Sequence, residues 1–477
     1  MRITLFALNG SYAHSALSVR CLQTALRGAG LDAEILEGNL RDRTLSLLAA
    51  LTAQNADLYG FSCYIWNVEQ MLSLAESLKA IRPDCRILLG GPEVSYATER
   101  FVALPFVDHI ITGEGEEAIV LLARDLADGK APPRVIAGTP DTNFAARGIH
   151  YAKNHPVPPL VYYESSRGCP FSCAFCLSSA EKGVRAKPAE QALAELLEFE
   201  QIAGNFTVKL VDRTFNFDRE RAKTIWRGLL DEKYTKCYHF EIAAHLLDEE
   251  SFEILSKFPQ GKVRLEIGLQ STNKKTLAAV SRHTDAEAVL HAAKRLTEQN
   301  ACHVHLDLIA GLPHEDMESF ARSFDAAYGA CHVLQLGFLK FLHGTALREN
   351  AAAFGAAFEA KSPYTVLKTD VLSFEDICKL HRISDLVERL CDSEKFVHSL
   401  PFILSFSHSP FAFFAELDDY LNEKTGKELQ KTSQRDLFWH LSGFAKEKLP
   451  ENAHETLSEY LRADFSSAEV RRPPKGL

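Results

Sequence analysis

The chain has 477 residues, 46% hydrophobic and 24% charged, an ordinary balance for a globular protein with room for two to four domains. A formal net charge of −10 argues against a general nucleic-acid binder, which needs a basic face. No run of about 18 apolar residues predicts a membrane span, and eleven scattered cysteines point to a reducing, cytoplasmic compartment rather than a disulfide framework.

Residues 1–125 alternate short strand candidates with amphipathic helical stretches. The strand candidates are "RITLFAL", "AEILEG", "LYGFSCY", "RILLGG" and "HIITG". Such alternation predicts a parallel sheet with helices on both faces, whose ligands sit at the carboxyl ends of the strands. Those ends carry Asn9, Gly10, Ser62, Gly90, Gly91, Gly113, Glu114, Gly115 and Glu116. Residues 126–160 are rich in Pro, Gly and Asn and read as a linker with short strands.

From 161 to 345 the alternation resumes, with strand candidates "LVYYE", "FTVKLVD", "YHFEIAA", "VRLEIGLQ", "HVHLDLIAG" and "VLQLGFLKF". That is a partial (β/α)6 barrel, with its chemistry expected at the carboxyl strand ends. Residues 346–477 turn helical, and the tail "EVRRPPKGL" reads as mobile.

Just after the first barrel strand comes "ESSRGCPFSCAFCLSSA", which puts Cys169, Cys173 and Cys176 at Cys-x3-Cys-x2-Cys spacing. A structural zinc site would want a fourth Cys or His close by. The next cysteine is Cys237, and no His lies in the loop. Three thiolates can hold three irons of a 4Fe–4S cluster and leave the fourth for a small molecule.

This loop, in this position, resembles that of the radical S-adenosylmethionine (SAM) superfamily. The resemblance implies that SAM chelates the fourth iron and is cleaved reductively to methionine and a 5′-deoxyadenosyl radical. Phe175 matches the aromatic position that contacts adenine. "LEIGLQS" resembles the fourth-strand motif, which implies SAM binding by Glu266, Gln270 and Ser271. "HLDLIAGLP" resembles the fifth-strand segment, where Asp307 and Gly311 stand beside SAM. The family form of that segment is Gly-x-Ile-x-Gly-x-x-Glu, and this chain has Asp307 in place of its first Gly and His314 in place of its final Glu. Asp212, Arg213 and Asn216, at the end of the second strand, are substrate-side candidates, with surface caps or salt bridges as the alternative.

The order of Rossmann-like domain, linker, barrel and helical tail resembles the cobalamin-binding branch of the superfamily, in an uncharacterised subgroup. "ILLGGPEVS" and "ITGEGEEAI" support it, and the former adds Glu93 to the candidate cobalamin contacts. The Asp-x-His-x-x-Gly motif that ligates cobalt from below is absent. His14 reads as a loop or helix-entry residue, and Tyr64 or Trp66 as the group beneath cobalt. The alternative for Trp66 is core packing against the linker.

The implied function is methylation of an unactivated carbon or phosphorus centre of a small-molecule or peptide substrate. The implied partner is an electron donor such as flavodoxin or ferredoxin. The alternatives are a non-methyl rearrangement or cyclisation, a radical SAM enzyme that has lost cobalamin, and a cluster-bearing SAM-binding regulator.

Overall fold

The computed structural model describes residues 1–151, 157–179, 183–231, 235–425 and 432–468. The tail "EVRRPPKGL" lies outside them.

The N-terminal sheet is built from β1 (Ile3–Asn9), β2 (Glu34–Asn39), β3 (Leu58–Ser62), β4 (Arg86–Gly90), β5 (His109–Thr112) and β6 (Val135–Ala137). All are parallel, in the order β2-β1-β3-β4-β5-β6. The buried runs of β1 and β3 are nearly continuous, because helices cover both faces. Separate apolar clusters, one under each helical layer, hold the sandwich together. The strand order reverses between β1 and β3, and a doubly wound sheet opens its ligand crevice at that point. β6 carries the sheet past residue 125, into the segment read as linker.

The second sheet contains β7 (Leu160–Tyr163), β10 (Thr207–Leu210), β11 (Cys237–Ile242), β12 (Val263–Gln270), β13 (His303–Ala310) and β14 (Val333–Phe338). They run parallel in chain order, and the edges β7 and β14 do not pair, so the barrel is partial. Between β7 and β10 lies an antiparallel hairpin of β8 (Ser166–Cys169) and β9 (Gly183–Ala186).

The two faces of this sheet differ. On β12 and β13 the residues Val263, Leu265, Ile267, Val304, Leu306 and Leu308 are buried in the core beneath helices such as Ala286–Gln299. Their neighbours Arg264, Glu266, His303, His305 and Asp307 alternate with them on the opposite, concave face and keep some exposure. A parallel sheet covered on both sides would read as apolar throughout, so this alternation marks an uncovered face.

The C-terminal helices include Phe374–Val387, opened by a Ser373/Asp376 capping box, followed by Pro410–Thr425, Gln434–Lys448 and His454–Ser467. Their core is continuous with that of the barrel.

Candidate active site between the two sheets

The carboxyl ends of both sheets meet at one cavity of about 910 Å³. From the N-terminal sheet it is lined by Asn9, Gly10, Ser62, Tyr64, Trp66, Gly90, Gly91 and residues 113–116. From the barrel side it is lined by Tyr162, Glu164, Arg167, Val211 and Arg213, and by Gly168, Leu177 and Ser178 of the cysteine hairpin.

Backbone sits close at this floor. Gly91 has φ +111, and a Cβ there would meet the Cys63 carbonyl oxygen at 2.5 Å. Ser62 Oγ lies 2.9 Å from Ser18 Oγ, and the Tyr64 hydroxyl bonds to both serines. Trp66 is stacked on Tyr64, with centroids 4.3 Å apart, and is 54% exposed. It faces the cavity rather than packing into a core. His14 also reaches the cavity, and its Nδ1 lies 2.7 Å from the Tyr162 hydroxyl.

One expected contact lies elsewhere, and two more are already engaged. Glu93 is 3% exposed and accepts a hydrogen bond from Tyr364, with Arg100 at 3.7 Å. It fastens the cobalamin-type domain to the chain after the barrel and does not line the cavity. Glu114 and Glu116 do line it, but their oxygens are taken by Arg167, at 2.7 and 2.5 Å, and Glu114 also by Arg185. Arg167 was not singled out from sequence. It bonds Glu164 too, at 2.9 Å, and so ties three carboxylates of both domains to the strand that carries Cys169. Burial raises the Glu164 carboxyl to about 7, with Arg167 opposing the rise.

The three thiols stand on a built frame. Gly168, at φ +93, lets β8 pass the carbonyl of Gly183, which a Cβ would strike. Asp212 is fully buried and accepts the backbone N–H groups of Ser165 and Ser166, at 2.7 and 2.8 Å, and the Ser165 hydroxyl. Asn216 is buried too and exchanges two hydrogen bonds with the backbone of Ala243. Both residues brace the strand ends, and of the three substrate-side candidates Arg213 alone lines the cavity. Cys169 Sγ lies 3.4 Å from Thr214 Oγ1, and Arg282 Nη1 lies 3.6 Å from Cys173 Sγ.

Among the described residues, the three thiols do not gather within 4.8 Å of one another, as ligands of a single ion would. Phe175 is half-buried beside them, packed against the barrel core.

On β12, a bulge between Gly268 and Gln270 and a φ of +73 at Gln270 turn that side chain at the strand end. Gln270 Oε1 and Asp307 Oδ1 are buried without a hydrogen-bond partner. Burial, then the charges of Glu266 and Glu241, raise the Asp307 carboxyl to about 8. Glu266 is different: Lys209 Nζ lies at 2.6 Å and His239 Nε2 at 3.1 Å. Burial pushes its carboxyl up, but the neighbouring His239 imidazole and the Lys209 ammonium outweigh that and hold it at about 2. In the ligand-free chain the ammonium beside Glu266 is that of Lys209.

Ser271 is buried and donates to Glu315 at 2.5 Å. Glu315, one residue beyond the position where the fifth-strand pattern ends in Glu, supplies the buried carboxylate that His314 cannot. Gly311, at φ +89, packs against Val366.

Fold and site together define a ligand-binding doubly wound domain facing a partial barrel with a three-cysteine loop. Three family models tile the chain: "B12 binding domain" over residues 3–123, "Radical SAM superfamily" over 163–327, and "Protein of unknown function (DUF4080)" over 352–476. The chain belongs to the radical SAM superfamily, in the branch that carries a cobalamin-binding domain.

Among curated proteins it is 23% identical over 332 residues to an uncharacterized methyltransferase of Pyrococcus horikoshii, covering 62% of this chain and 71% of that one. It is 26% identical to the cobalamin-dependent radical SAM methyltransferase TokK of Streptomyces tokunonensis, over 55% of this chain and 44% of that one. It is 25% identical to the hopanoid C-3 methylase of Methylococcus capsulatus, over 50% and 51%. The chain thus spans about half the length of the last two.

Among solved structures, the radical SAM methyltransferase TsrM of Kitasatospora setae superposes with a TM-score of 0.61 at 16% identity, over 79% of this chain and 81% of that one. OxsB, with aqua-cobalamin and SAM bound, superposes with a TM-score of 0.60 at 15% identity, over 98% and 84%. Among the described residues no helix is long and apolar enough to cross a membrane.

Proposed function

We propose that this chain is a cobalamin-dependent radical SAM methyltransferase acting on an unactivated carbon or phosphorus centre. The observation that carries the reading is the shared cavity: the loop holding the three thiols and the switch point of the cobalamin-type sheet line one space. When bound, the cluster supplies the electron that cleaves SAM, and cobalamin supplies the metal that carries the methyl group.

The chain's own residues hold and orient. Cys169, Cys173 and Cys176 are the cluster ligands; burial pushes the Cys173 thiol up, and the Arg282 guanidinium beside it opposes that rise. Phe175 flanks adenine. The unpartnered amide oxygen of Gln270 is directed to the polar end of SAM, and Asp307 faces the space between SAM and substrate. The backbone at Asn9, Gly10, Gly90, Gly91, Gly113 and Gly115 forms a floor for the corrin. Ser62 and Tyr64 stand beneath it. Arg213 stands at the rim on the substrate side. An external reductant such as flavodoxin or ferredoxin supplies the electron.

The test is anaerobic reconstitution with iron, sulfide and cobalamin, followed by incubation with dithionite, a metabolite extract and SAM carrying a deuterated methyl group. The expected result is about four irons per chain, 5′-deoxyadenosine, and a metabolite that gains the label. 5′-Deoxyadenosine with no labelled metabolite would overturn methyl transfer.

A further inference from the structure

The shared cavity does not end at the strand tips. It continues between the helices Leu17–Gly28 and Glu116–Ala127, which pack on the same face of the N-terminal sheet. At the mouth of this slot the hydroxyls of Ser18, Ser62 and Tyr64 are bonded to one another. Both helices run back from the strand tips, so one turn along each of them lies deeper. Ser18 gives way to Leu22 on the first and Glu116 to Ile119 on the second, and all four line the cavity. Beneath them the floor is Gly60 of β3, Leu88 of β4 and Ile111 of β5. Gly60 keeps this floor low, since a Cβ there would stand 3.1 Å from Leu5 Cδ2 and 3.7 Å from Leu88 Cδ2.

The inner part of the slot is therefore aliphatic on its walls and floor. Leu88, Ile111 and Ile119 belong to the apolar cluster under these two helices, and Leu22 packs against it. Among the described residues the only charged lining residue on the two helices is Glu116, already held by Arg167 at 2.5 Å. A corrin is too broad to pass between two helices, and its metal has to face the thiols. The part of a corrinoid narrow enough to enter is the nucleotide tail, which ends in one flat aromatic base. In cobalamin that base is dimethylbenzimidazole, whose leading edge is a hydrocarbon ring with two methyl groups. A purine base such as adenine leads instead with an amino group and ring nitrogens. Those would lose their water and find no side-chain partner between Leu22 and Ile119, a net cost, whereas burying the methyl groups is a gain.

We propose that this slot selects the corrinoid by its tail: it takes a base with a hydrocarbon edge, such as dimethylbenzimidazole, and discriminates against purine bases, with Leu22 and Ile119 as the specificity-determining residues. The proposal rests on the cobalamin-binding part of the reading above and not on methyl transfer.

The test is a titration of the full-length, cluster-reconstituted protein with cobalamin, with the cobamide that carries adenine in place of dimethylbenzimidazole, and with cobinamide, which has no base. Binding is read from the corrin absorption and from cobalt retained per chain. Cobalamin is expected to bind about ten- to a hundredfold more tightly than the adenine cobamide. Adenine is the weaker cobalt ligand and frees its tail more readily, so any bias from that step runs against the expected order. Ile119→Asn and Leu22→Gln place an amide in the slot and are expected to shrink the preference at least fivefold, with cobinamide binding and iron content reporting that each variant is folded. Equal binding of the two cobamides by the wild-type protein overturns the proposal, and that comparison decides alone if a variant does not fold. A preference that neither variant moves, in folded protein, overturns the assignment to Leu22 and Ile119. Failure of every corrinoid to bind overturns the proposal together with the cofactor it rests on. The expected order of binding in a protein that makes 5′-deoxyadenosine but labels no metabolite leaves tail selection standing while methyl transfer falls.

Discussion

Asp307 shows how one side chain can be legible as a site and still differ in its chemistry from the expectation. Its place on the fifth barrel strand put it beside SAM, yet it is held as a buried carboxyl near two other carboxylates, with its pKa raised from 3.8 to about 8 by burial and then by Glu266 and Glu241. A raised carboxyl favours the folded chain only while protonated. Its contribution is complete below 3.8 and is lost as pH rises through about 8. Asp307→Asn cannot ionise, so in the ligand-free protein its thermal stability relative to wild type should climb from pH 4 to pH 8 and then level off. Melting curves at several pH values check this, and an offset that does not vary with pH would reject the burial argument. Glu266 titrates the other way, near 2, and its carboxylate stays charged throughout that range. Its removal leaves Lys209 without its 2.6 Å ion pair.

At the scale of the element, the cysteine hairpin gives the sharpest expectation. Cys169→Ala, Cys173→Ala and Cys176→Ala should each abolish the cluster, read as loss of iron and of visible absorption. Cys302→Ala should leave it intact, since Cys302 is buried in the core, with its thiol against the Leu255 carbonyl. Loss of the cluster in that variant, in folded protein, would place a fourth protein ligand on iron.

The five N-terminal and six barrel strands were legible because apolar periodicity and β-branched content mark them directly. The hairpin of β8 and β9 was not, since "SRGC" and "GVRA" are too short and too polar to carry a period. Asp212 and Asn216 were misplaced for a related reason. Beyond the last residue of a strand the alternation stops, and sequence no longer says which way a side chain turns. Both turned inward, Asp212 to brace the backbone that leads into the cysteine hairpin and Asn216 to brace Ala243 beyond β11.

Arg167 belongs to the whole molecule, because it joins the domains. It is 12% exposed and reaches Glu114, Glu116 and Glu164. Arg167→Ala would strand Glu116 and Glu164 in a poorly solvated interface and leave Glu114 to Arg185 alone, and removing one partner of a buried ion pair costs about 3–5 kcal/mol. The expected result is a large drop in thermal midpoint and weakened retention of added cobalamin, measured as cobalt per chain after gel filtration. Unchanged stability would mean that water already screens the three carboxylates.

The same domain arrangement sets which side chains would stand below a corrin bound in this cavity, and the candidates are few. Tyr64 and Trp66 stack at the switch point, and Trp66 is exposed to the cavity. His14 is the competing group: it lines the cavity, but its Nδ1 is engaged with the Tyr162 hydroxyl across the domain boundary. An aromatic ring keeps water off a metal without donating a lone pair as imidazole does. The paramagnetic resonance spectrum of the Co(II)-cobalamin protein should therefore show no nitrogen hyperfine splitting from an axial ligand, and Trp66→Ala or Tyr64→Ala should admit an axial water. A nitrogen splitting that vanishes in His14→Ala would instead mean that His14 leaves Tyr162 for cobalt, and the aromatic pair would then be only a wall of the cavity.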